Sequence, residues 1–214
     1  MTSKAAVNRI IETLKGIYPD GLCSLQYKKD YELLFAVRLS AQCTDERVNK
    51  VTPALYARFP TLESFAEADP AEVGEYIHSC GFYNGKARDI VACAQKLVNE
   101  YGGRVRGTME ELTGLPGVGR KTANLILGDV FGQPAYVCDT HCIRITGRLG
   151  ITDGSKDPLQ VERQLRERIP PKESNNFCHR MVLFGRDTCT ARSPKCEGCP
   201  LAKDCDTAKA ARRG

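Results

Sequence analysis

One lysine is well placed for chemistry because of the residues that precede it. Lys121 follows a glycine- and proline-rich stretch, residues 114–119, and is predicted to lie in the first turn of a helix. The helix dipole is positive at that end and Arg120 is adjacent, so both effects disfavour the charged ammonium form. A partly neutral lysine is a nucleophile suited to forming a Schiff base. A solvated lysine that contacts phosphate explains this position equally well.

The segment around this lysine, residues 111–124 (ELTGLPGVGRKTAN), also predicts an anion site. We expect a short helix that ends near Thr113, a glycine-rich joint, and a second helix that starts near Val118. Free N–H groups at the start of the second helix point into the joint and can bind one phosphate without reading base sequence. The alternative is a plain helix–helix turn, which the Leu-Pro-Gly-Val-Gly-Arg-Lys run makes the weaker interpretation.

A carboxylate follows the lysine at a defined spacing. Asp139 lies 18 residues after Lys121 and precedes Thr140, where another helix is predicted to begin. Aspartate is a preferred N-cap residue, so a structural role explains it well. A capping carboxylate also has a fixed direction. If it faces Lys121, it can transfer protons or stabilise a positive charge that develops on a sugar.

Four of the 11 cysteines lie close together near the C-terminus. Their spacing is Cys189-x6-Cys196-x2-Cys199-x5-Cys205. This spacing favours one metal centre over four free thiols. Zinc sites commonly use two C-x2-C pairs, of which only one is present, whereas a [4Fe–4S] cluster accepts more varied spacings. The spacing by itself leaves both metals open.

The composition indicates a globular protein that works inside the cell. The 214 residues are 42% hydrophobic and 27% charged, enough for one compact domain or two small lobes. The odd number of cysteines argues against a disulfide framework. No stretch is apolar enough for a membrane span, and the N-terminus does not look like a secretory signal. The net charge of +5 permits a polyanionic partner. We therefore expect a cytoplasmic protein.

The hydrophobic pattern is helical almost throughout, so the predicted fold class is all-α with short joints. Thr44 is the expected cap of one helix that Pro60 stops, and Gly102 with Gly103 ends another. The predicted helices are residues 5–17, 31–39, 45–59, 86–101, 110–113, 118–131, 140–149, 158–168 and 174–186.

Two motifs together resemble the endonuclease III family of DNA-repair glycosylases, which carry a helix–hairpin–helix motif. These are Leu-Pro-Gly-Val-Gly-Arg-Lys-Thr-Ala-Asn at residues 115–124 and Val-Cys-Asp-Thr-His at residues 137–141. The resemblance covers nearly the whole chain. It implies that Lys121 is the Schiff-base nucleophile, that Asp139 is the essential carboxylate, and that the four clustered cysteines hold a [4Fe–4S] cluster.

The same resemblance implies a set of DNA contacts. Residues 39–45 are similar to a family segment whose glutamine, here Gln42, fills the gap left by a flipped base, and residues 81–87 match another family loop. In the family, the loop between the first two cluster ligands presents basic residues to phosphates. The predicted DNA-contacting residues are Gln42, Leu115, Gly117, Val118, Gly119, Arg120, Thr140, His141, Arg144, Arg192 and Lys195.

Three cysteines depart from the family pattern. Cys43, Cys138 and Cys142 occupy positions where relatives often carry small or aliphatic residues. We expect this difference to add sensitivity to oxidation.

Two helical lobes with a cleft between them are expected. Residues 23–133 form the lobe with the helix–hairpin–helix, and residues 1–22 plus 134–214 form a discontinuous lobe with the cluster loop. Because Lys121 and Asp139 lie on opposite sides of this boundary, we expect them to face each other across the cleft.

The implied activity is that of a bifunctional DNA glycosylase and abasic-site lyase of base excision repair. We expect a monomer that acts in the nucleoid on double-stranded DNA with damaged bases or abasic sites. We expect no membrane partner. Oxidised pyrimidines are the implied substrates. One alternative is an adenine-type monofunctional glycosylase, which usually carries a catalytic glutamate near the position of Gln42. The other is a non-catalytic DNA-binding module with a four-cysteine zinc site.

Overall fold

The structure, a computed structural model, describes residues 1–211, in which all regular secondary structure is helical. This confirms the predicted all-α class. No helix in the described part is both long and apolar enough to cross a membrane. Residues 212–214, the end of the second predicted lobe, lie outside the described part. The helices are α1 (Lys4–Ile17), α2 (Asp30–Leu39), α3 (Asp45–Arg58), α4 (Leu62–Ala66), α5 (Pro70–Ile77), α6 (Tyr83–Tyr101), α7 (Met109–Thr113), α8 (Arg120–Asp129), α9 (Thr140–Arg148), α10 (Pro158–Arg168), α11 (Ser174–Asp187) and α12 (Asp206–Ala211).

The chain divides into two compact units, and in the unit of residues Cys23–Gly132 the central helix is α6. This helix packs against α2, α4 and α5. A group of aromatic rings lies around Phe65, with ring centroids 5.0 Å from Phe35 and 5.1 Å from Phe59. Helix α8 packs against α2 and α7. The glycine-rich joint between α7 and α8 is therefore carried by helices that are themselves fixed in this core.

The other unit comprises Met1–Leu22 and Gln133–Gly214 and is built around α11. This helix packs against α1 and α9 and buries Phe177, Met181 and Phe184. Its Gly185 faces α9 so closely that a Cβ atom there would clash with the His141 ring. Because Gly185 allows this close approach, α9 is held directly on α11.

Several helix boundaries differ from the predicted ones. The pattern does not predict α4, α5 or α12, because each has eight residues or fewer and shows little periodicity. A cap signal does precede α5, since Asp69 accepts a hydrogen bond from the Ala71 N–H and Pro70 is the first helical residue. Helix α6 begins at Tyr83, three residues before the predicted start, and α8 begins two residues after it, at Arg120.

Candidate active site

The glycine-rich joint is a tight turn that two apolar side chains anchor in the core. The Leu115 N–H donates to the Leu112 carbonyl at 3.1 Å, and the Val118 N–H donates to the Leu115 carbonyl at 3.2 Å. This last bond keeps Val118 in the turn, which explains the late start of α8. The side chains of Leu115 and Val118 are buried. Any contact that these two residues make with DNA must therefore come from their main chain.

Two glycines of this turn have different physical reasons to be glycine. Gly117 has φ +73°, and a Cβ atom there would lie 2.9 Å from Asp89 Cβ and 3.0 Å from Arg38 Cδ. Those two side chains form an ion pair, with Arg38 Nη2 2.6 Å from Asp89 Oδ2. Gly119 has no such neighbours, since a Cβ atom there would meet no heavy atom within 4 Å. The main chain at Gly119 is therefore open to close approach by a ligand.

Lys121 is exposed in the first turn of α8, as the sequence predicted. Gly119 is the N-cap residue and has no side chain with which to cap the helix. The first N–H groups of α8 and the positive end of its dipole are thus available for an anion. Arg120 is also exposed. The turn combines a phosphate-binding helix end with a solvent-accessible amine.

Asp139 is the N-cap of α9, which confirms the predicted capping role. Its Oδ1 accepts a hydrogen bond from the Cys142 N–H at 2.7 Å. The residue is half-buried, and Thr140, which follows it, is exposed. The hydrogen bond fixes the direction of the carboxylate.

The guanidinium of Arg144 is bound within the protein. It donates to the Cys189 carbonyl at 3.0 Å from Nη2 and at 3.3 Å from Nε, and Nη2 lies 3.2 Å from His141 Nδ1. Arg144 therefore connects α9 to the first cysteine of the C-terminal segment. The predicted contacts of Arg144 and His141 with DNA stay predictions.

The four C-terminal cysteines line one cavity of about 130 Å³, together with Leu149, Phe184 and Leu201. Among the described residues, no three of these four sulfurs lie within 4.8 Å of one another. A tetrahedral zinc ion with Zn–S bonds of about 2.3 Å would bring its sulfurs to roughly 3.8 Å. The wider arrangement around an apolar cavity fits an iron–sulfur cluster, which separates its ligands further.

Arg148 organises the loop that begins this segment. Its Nη1 lies 3.4 Å from Cys189 Sγ and 2.7 Å from the Thr190 carbonyl, and its Nη2 donates to the Ala191 carbonyl at 2.8 Å. With this support, the predicted DNA-contacting residues Arg192 and Lys195 are both exposed.

A second exposed feature consists of two loops in the unit of residues Cys23–Gly132. The Gln42 loop, residues 40–44, connects α2 to α3, and its exposed Gln42 has φ +54°. The Phe82 turn, residues 80–82, precedes α6, and its Phe82 has φ +50° and is 74% exposed. Phe82 is not among the residues that the sequence predicts to contact DNA. A large aromatic residue directly after glycine, outside the apolar face of a helix, was the available signal.

A buried lysine joins these two loops. The Lys86 ammonium donates to the Leu39 carbonyl at 2.8 Å and to the Cys80 carbonyl at 2.9 Å. Leu39 is the last residue before the Gln42 loop, and Cys80 is the first residue of the Phe82 turn. Only 1% of Lys86 is exposed, and burial lowers its pKa. The Gln42 loop and the Phe82 turn are therefore held side by side.

Comparison with known proteins gives concordant matches. Residues 35–171 match the HhH-GPD superfamily base excision DNA repair protein model, and residues 189–205 match the iron-sulfur binding domain of endonuclease III. Endonuclease III of Synechocystis sp. is 46% identical over 210 residues, with 98% of this chain and 95% of the relative covered. Endonuclease III of Escherichia coli is 37% identical over 204 residues, with 95% and 96% covered.

Solved structures agree with these matches. A trapped endonuclease III–DNA covalent intermediate, an estranged-adenine complex, superposes with a TM-score of 0.93 and 40% identity, and both chains are covered completely. A thermostable thymine-DNA glycosylase superposes with a TM-score of 0.87 at 21% identity, over 96% of this chain and 98% of that one, which supports the fold alone.

Proposed function

Since the chain belongs to the HhH-GPD superfamily and, within it, to the endonuclease III family, we propose that Lys121 is its nucleophile and Asp139 its essential carboxylate. The protein is a bifunctional base excision repair enzyme, both DNA glycosylase and abasic-site lyase, and it binds a [4Fe–4S] cluster. The observation that carries our assignment is the exposed amine of Lys121 at an uncapped helix N-terminus beside the open main chain of Gly119.

The chemistry at Lys121 follows from this position. A damaged nucleotide leaves the duplex more easily than a sound one because its pairing is already weak. A phosphate at the start of α8 places the sugar of that nucleotide near the amine. The Lys121 nitrogen attacks C1′ and the bond from C1′ to the base breaks, so the base departs. The bond from C1′ to the ring oxygen O4′ then breaks, which opens the sugar and gives a Schiff base. This Schiff base makes the proton at C2′ acidic, and loss of that proton together with the phosphate at C3′ breaks the strand on the 3′ side.

Asp139 supplies a negative charge for the reaction. Its carboxylate, held by the Cys142 N–H, stabilises positive charge on the sugar while the base leaves and accepts protons during the later steps. The substrates we infer are oxidised pyrimidines in double-stranded DNA, together with abasic sites, and the enzyme acts as a monomer in the cytoplasm, associated with the nucleoid.

Three parts of the chain contact the undamaged parts of the DNA: the glycine-rich turn before α8, the C-terminal basic loop, and the Gln42 loop together with the Phe82 turn. The turn with Gly117, Gly119 and Arg120 binds a phosphate, and Arg192 and Lys195 bind others. The side chain of Gln42 fills the gap left by the flipped nucleotide, and the exposed ring of Phe82 stacks between neighbouring bases. The [4Fe–4S] cluster, held by Cys189, Cys196, Cys199 and Cys205, cross-links the segment that displays the basic residues.

Borohydride trapping tests the assignment of Lys121. Incubation of the wild-type enzyme with abasic-site DNA and borohydride should give a covalent protein–DNA adduct, because the imine is reduced to a stable amine. Lys121→Ala should give no adduct, and Lys121→Arg should also fail since a guanidinium stays protonated. Both variants should bind a non-reactive abasic analogue, because an exposed lysine contributes little to the core. An adduct at the wild-type rate with Lys121→Ala would disprove the assignment.

A further inference from the structure

Two cysteines join the Gln42 loop to the Phe82 turn in addition to Lys86. Cys43 follows Gln42, and Cys80 precedes Gly81 and Phe82. The short helical turn of residues His78–Cys80 packs against α3, which begins two residues after Cys43, so the two thiols lie near each other and interact electrostatically. Cys43 is partly exposed, whereas Cys80 is 2% exposed. One residue of the pair is therefore accessible to a solute, and the other is buried.

We propose that Cys43 and Cys80 form a reversible disulfide on exposure to hydrogen peroxide, and that this bond lowers the affinity of the enzyme for DNA at a flipped nucleotide. The effect on DNA rests on the contacts proposed above for Gln42 and Phe82. The disulfide itself rests only on the two thiols and their surroundings.

The surroundings of the pair set the order of the steps. Burial, and then the neighbouring Cys43, raise the pKa of the Cys80 thiol to about 11, although Lys86 and Arg47 act in the opposite direction. Cys80 therefore stays protonated at neutral pH and is shielded from solutes. Cys43, the accessible partner, reacts first with peroxide, since oxidation requires access to the sulfur.

The reaction balances with one peroxide. The Cys43 sulfur attacks one peroxide oxygen, an S–O bond forms, the O–O bond breaks, and the other oxygen leaves as water, so Cys43 becomes a sulfenic acid. The Cys80 sulfur then attacks the Cys43 sulfur, and the hydroxyl group leaves as water with the proton of Cys80. Two thiols and one hydrogen peroxide thus give one disulfide and two waters.

The expected consequence follows from where the bond lies. A disulfide holds its two sulfurs about 2.05 Å apart, closer than two separate thiols can lie, so the Gln42 loop and the Phe82 turn must draw together. Lys86 already fixes Leu39, which precedes the Gln42 loop, and Cys80, the first residue of the Phe82 turn. The displacement is therefore taken up by the residues that follow these two fixed points, which include Gln42 and Phe82, and their side chains no longer match the gap and the base step.

Peptide mapping of the holoenzyme tests the modification. Trypsin should release residues 39–47 and 59–86, each of which contains one cysteine, Cys43 or Cys80. After peroxide treatment and blocking of free thiols, the two peptides should appear linked, and a thiol reductant should separate them. Absorbance near 400 nm, followed in the same sample, ensures that the cluster is intact. Absence of the linked peptide at peroxide levels that leave this absorbance unchanged would overturn the proposal.

Binding before and after oxidation tests the consequence. For the wild type, the Kd for a duplex with a non-reactive abasic analogue should rise about tenfold on oxidation and recover with reductant. Cys43→Ala and Cys80→Ala should each show no change of Kd on the same treatment. A linked peptide without any change in Kd would disprove the control of DNA binding. Failure of the reduced wild type to trap abasic DNA would instead count against the proposed function, and the linked peptide would be unaffected by it.

Discussion

The helix dipole acts on both of the residues that we assign to the chemistry. Lys121 lies in the first turn of α8, where a cation is disfavoured, and Asp139 caps α9, where an anion is stabilised. A Schiff-base mechanism needs a lysine that can give up its proton and a carboxylate that stays ionised. The two residues that we assign to the chemistry therefore both lie at helix N-termini, where the dipole acts on them in the same direction.

Substitution of Asp139 separates its cap from its charge. Asp139→Asn keeps an N-cap, because asparagine caps as well as aspartate, so the melting temperature should change little. The loss of charge should slow base release and strand cleavage by about 10²–10⁴-fold. Asp139→Ala should lose the activity and also about 1 kcal/mol of stability. Single-turnover kinetics and thermal melts measure the two effects. Normal activity per folded molecule in Asp139→Asn would reduce Asp139 to a structural cap.

At the scale of elements, the turn between α7 and α8 uses some of its residues to pack into the core and leaves another open for a ligand. Leu115 and Val118 hold the turn in the core, and Gly117 adopts the left-handed conformation that lets the chain pass over the Arg38–Asp89 ion pair. Gly119 contributes nothing to this packing and leaves the helix end open. The same five-residue stretch, residues 115–119, thus contains positions required by the fold and a position that is open to the proposed phosphate.

Alanine at each glycine should therefore have different effects. Gly117→Ala combines a positive φ with a Cβ clash, so it should cost about 1–3 kcal/mol of stability, measured by denaturant unfolding. Gly119 has φ −92°, and a Cβ atom there would lie in open space, so the Gly119→Ala variant should unfold at nearly the same denaturant concentration as the wild type. Its methyl group lies where a phosphate must approach, and binding to duplex DNA should weaken. Equal DNA affinity of Gly119→Ala and wild type would contradict a phosphate site at this turn.

At the scale of the molecule, we expect the metal centre to stabilise the C-terminal segment. Between α11 and α12 this segment has no helix in the described structure, and hydrogen bonds from Arg148 and an ion pair between Arg9 and Asp204 hold parts of it. Ligands supplied from one short segment convert the binding free energy of the centre into stability of that segment. Loss of the centre should therefore leave the loop with Arg192 and Lys195 less firmly positioned.

Removal of one ligand should show this dependence. The wild-type protein should absorb near 400 nm and contain about four irons per chain. Cys199→Ala should lose the absorbance and melt at a lower temperature. Cys93→Ala, which changes a buried cysteine in α6, should keep the absorbance and serves as the control. Stoichiometric zinc without iron in anaerobically prepared protein would contradict the cluster.

Local sequence determined much of this protein. The all-α class, the Thr44 and Asp139 caps, the end of α6 at Gly102 and the four-cysteine segment all depend on residues close together in the chain, so spacing alone predicts them. The sequence did not predict the short helices α4, α5 and α12, because a helical repeat of apolar residues is recognisable only over more than two turns.

The tertiary structure decided what depends on residues distant in sequence. The clash that requires glycine at position 117 comes from Arg38 and Asp89, and the bond from Arg144 to the Cys189 carbonyl spans 45 residues. Lys86 joins the carbonyls of Leu39 and Cys80, and the turn of residues His78–Cys80 packs against α3, so Cys43 lies near Cys80. No local pattern records such pairings, because packing in three dimensions, rather than spacing along the chain, brings the groups within bonding distance.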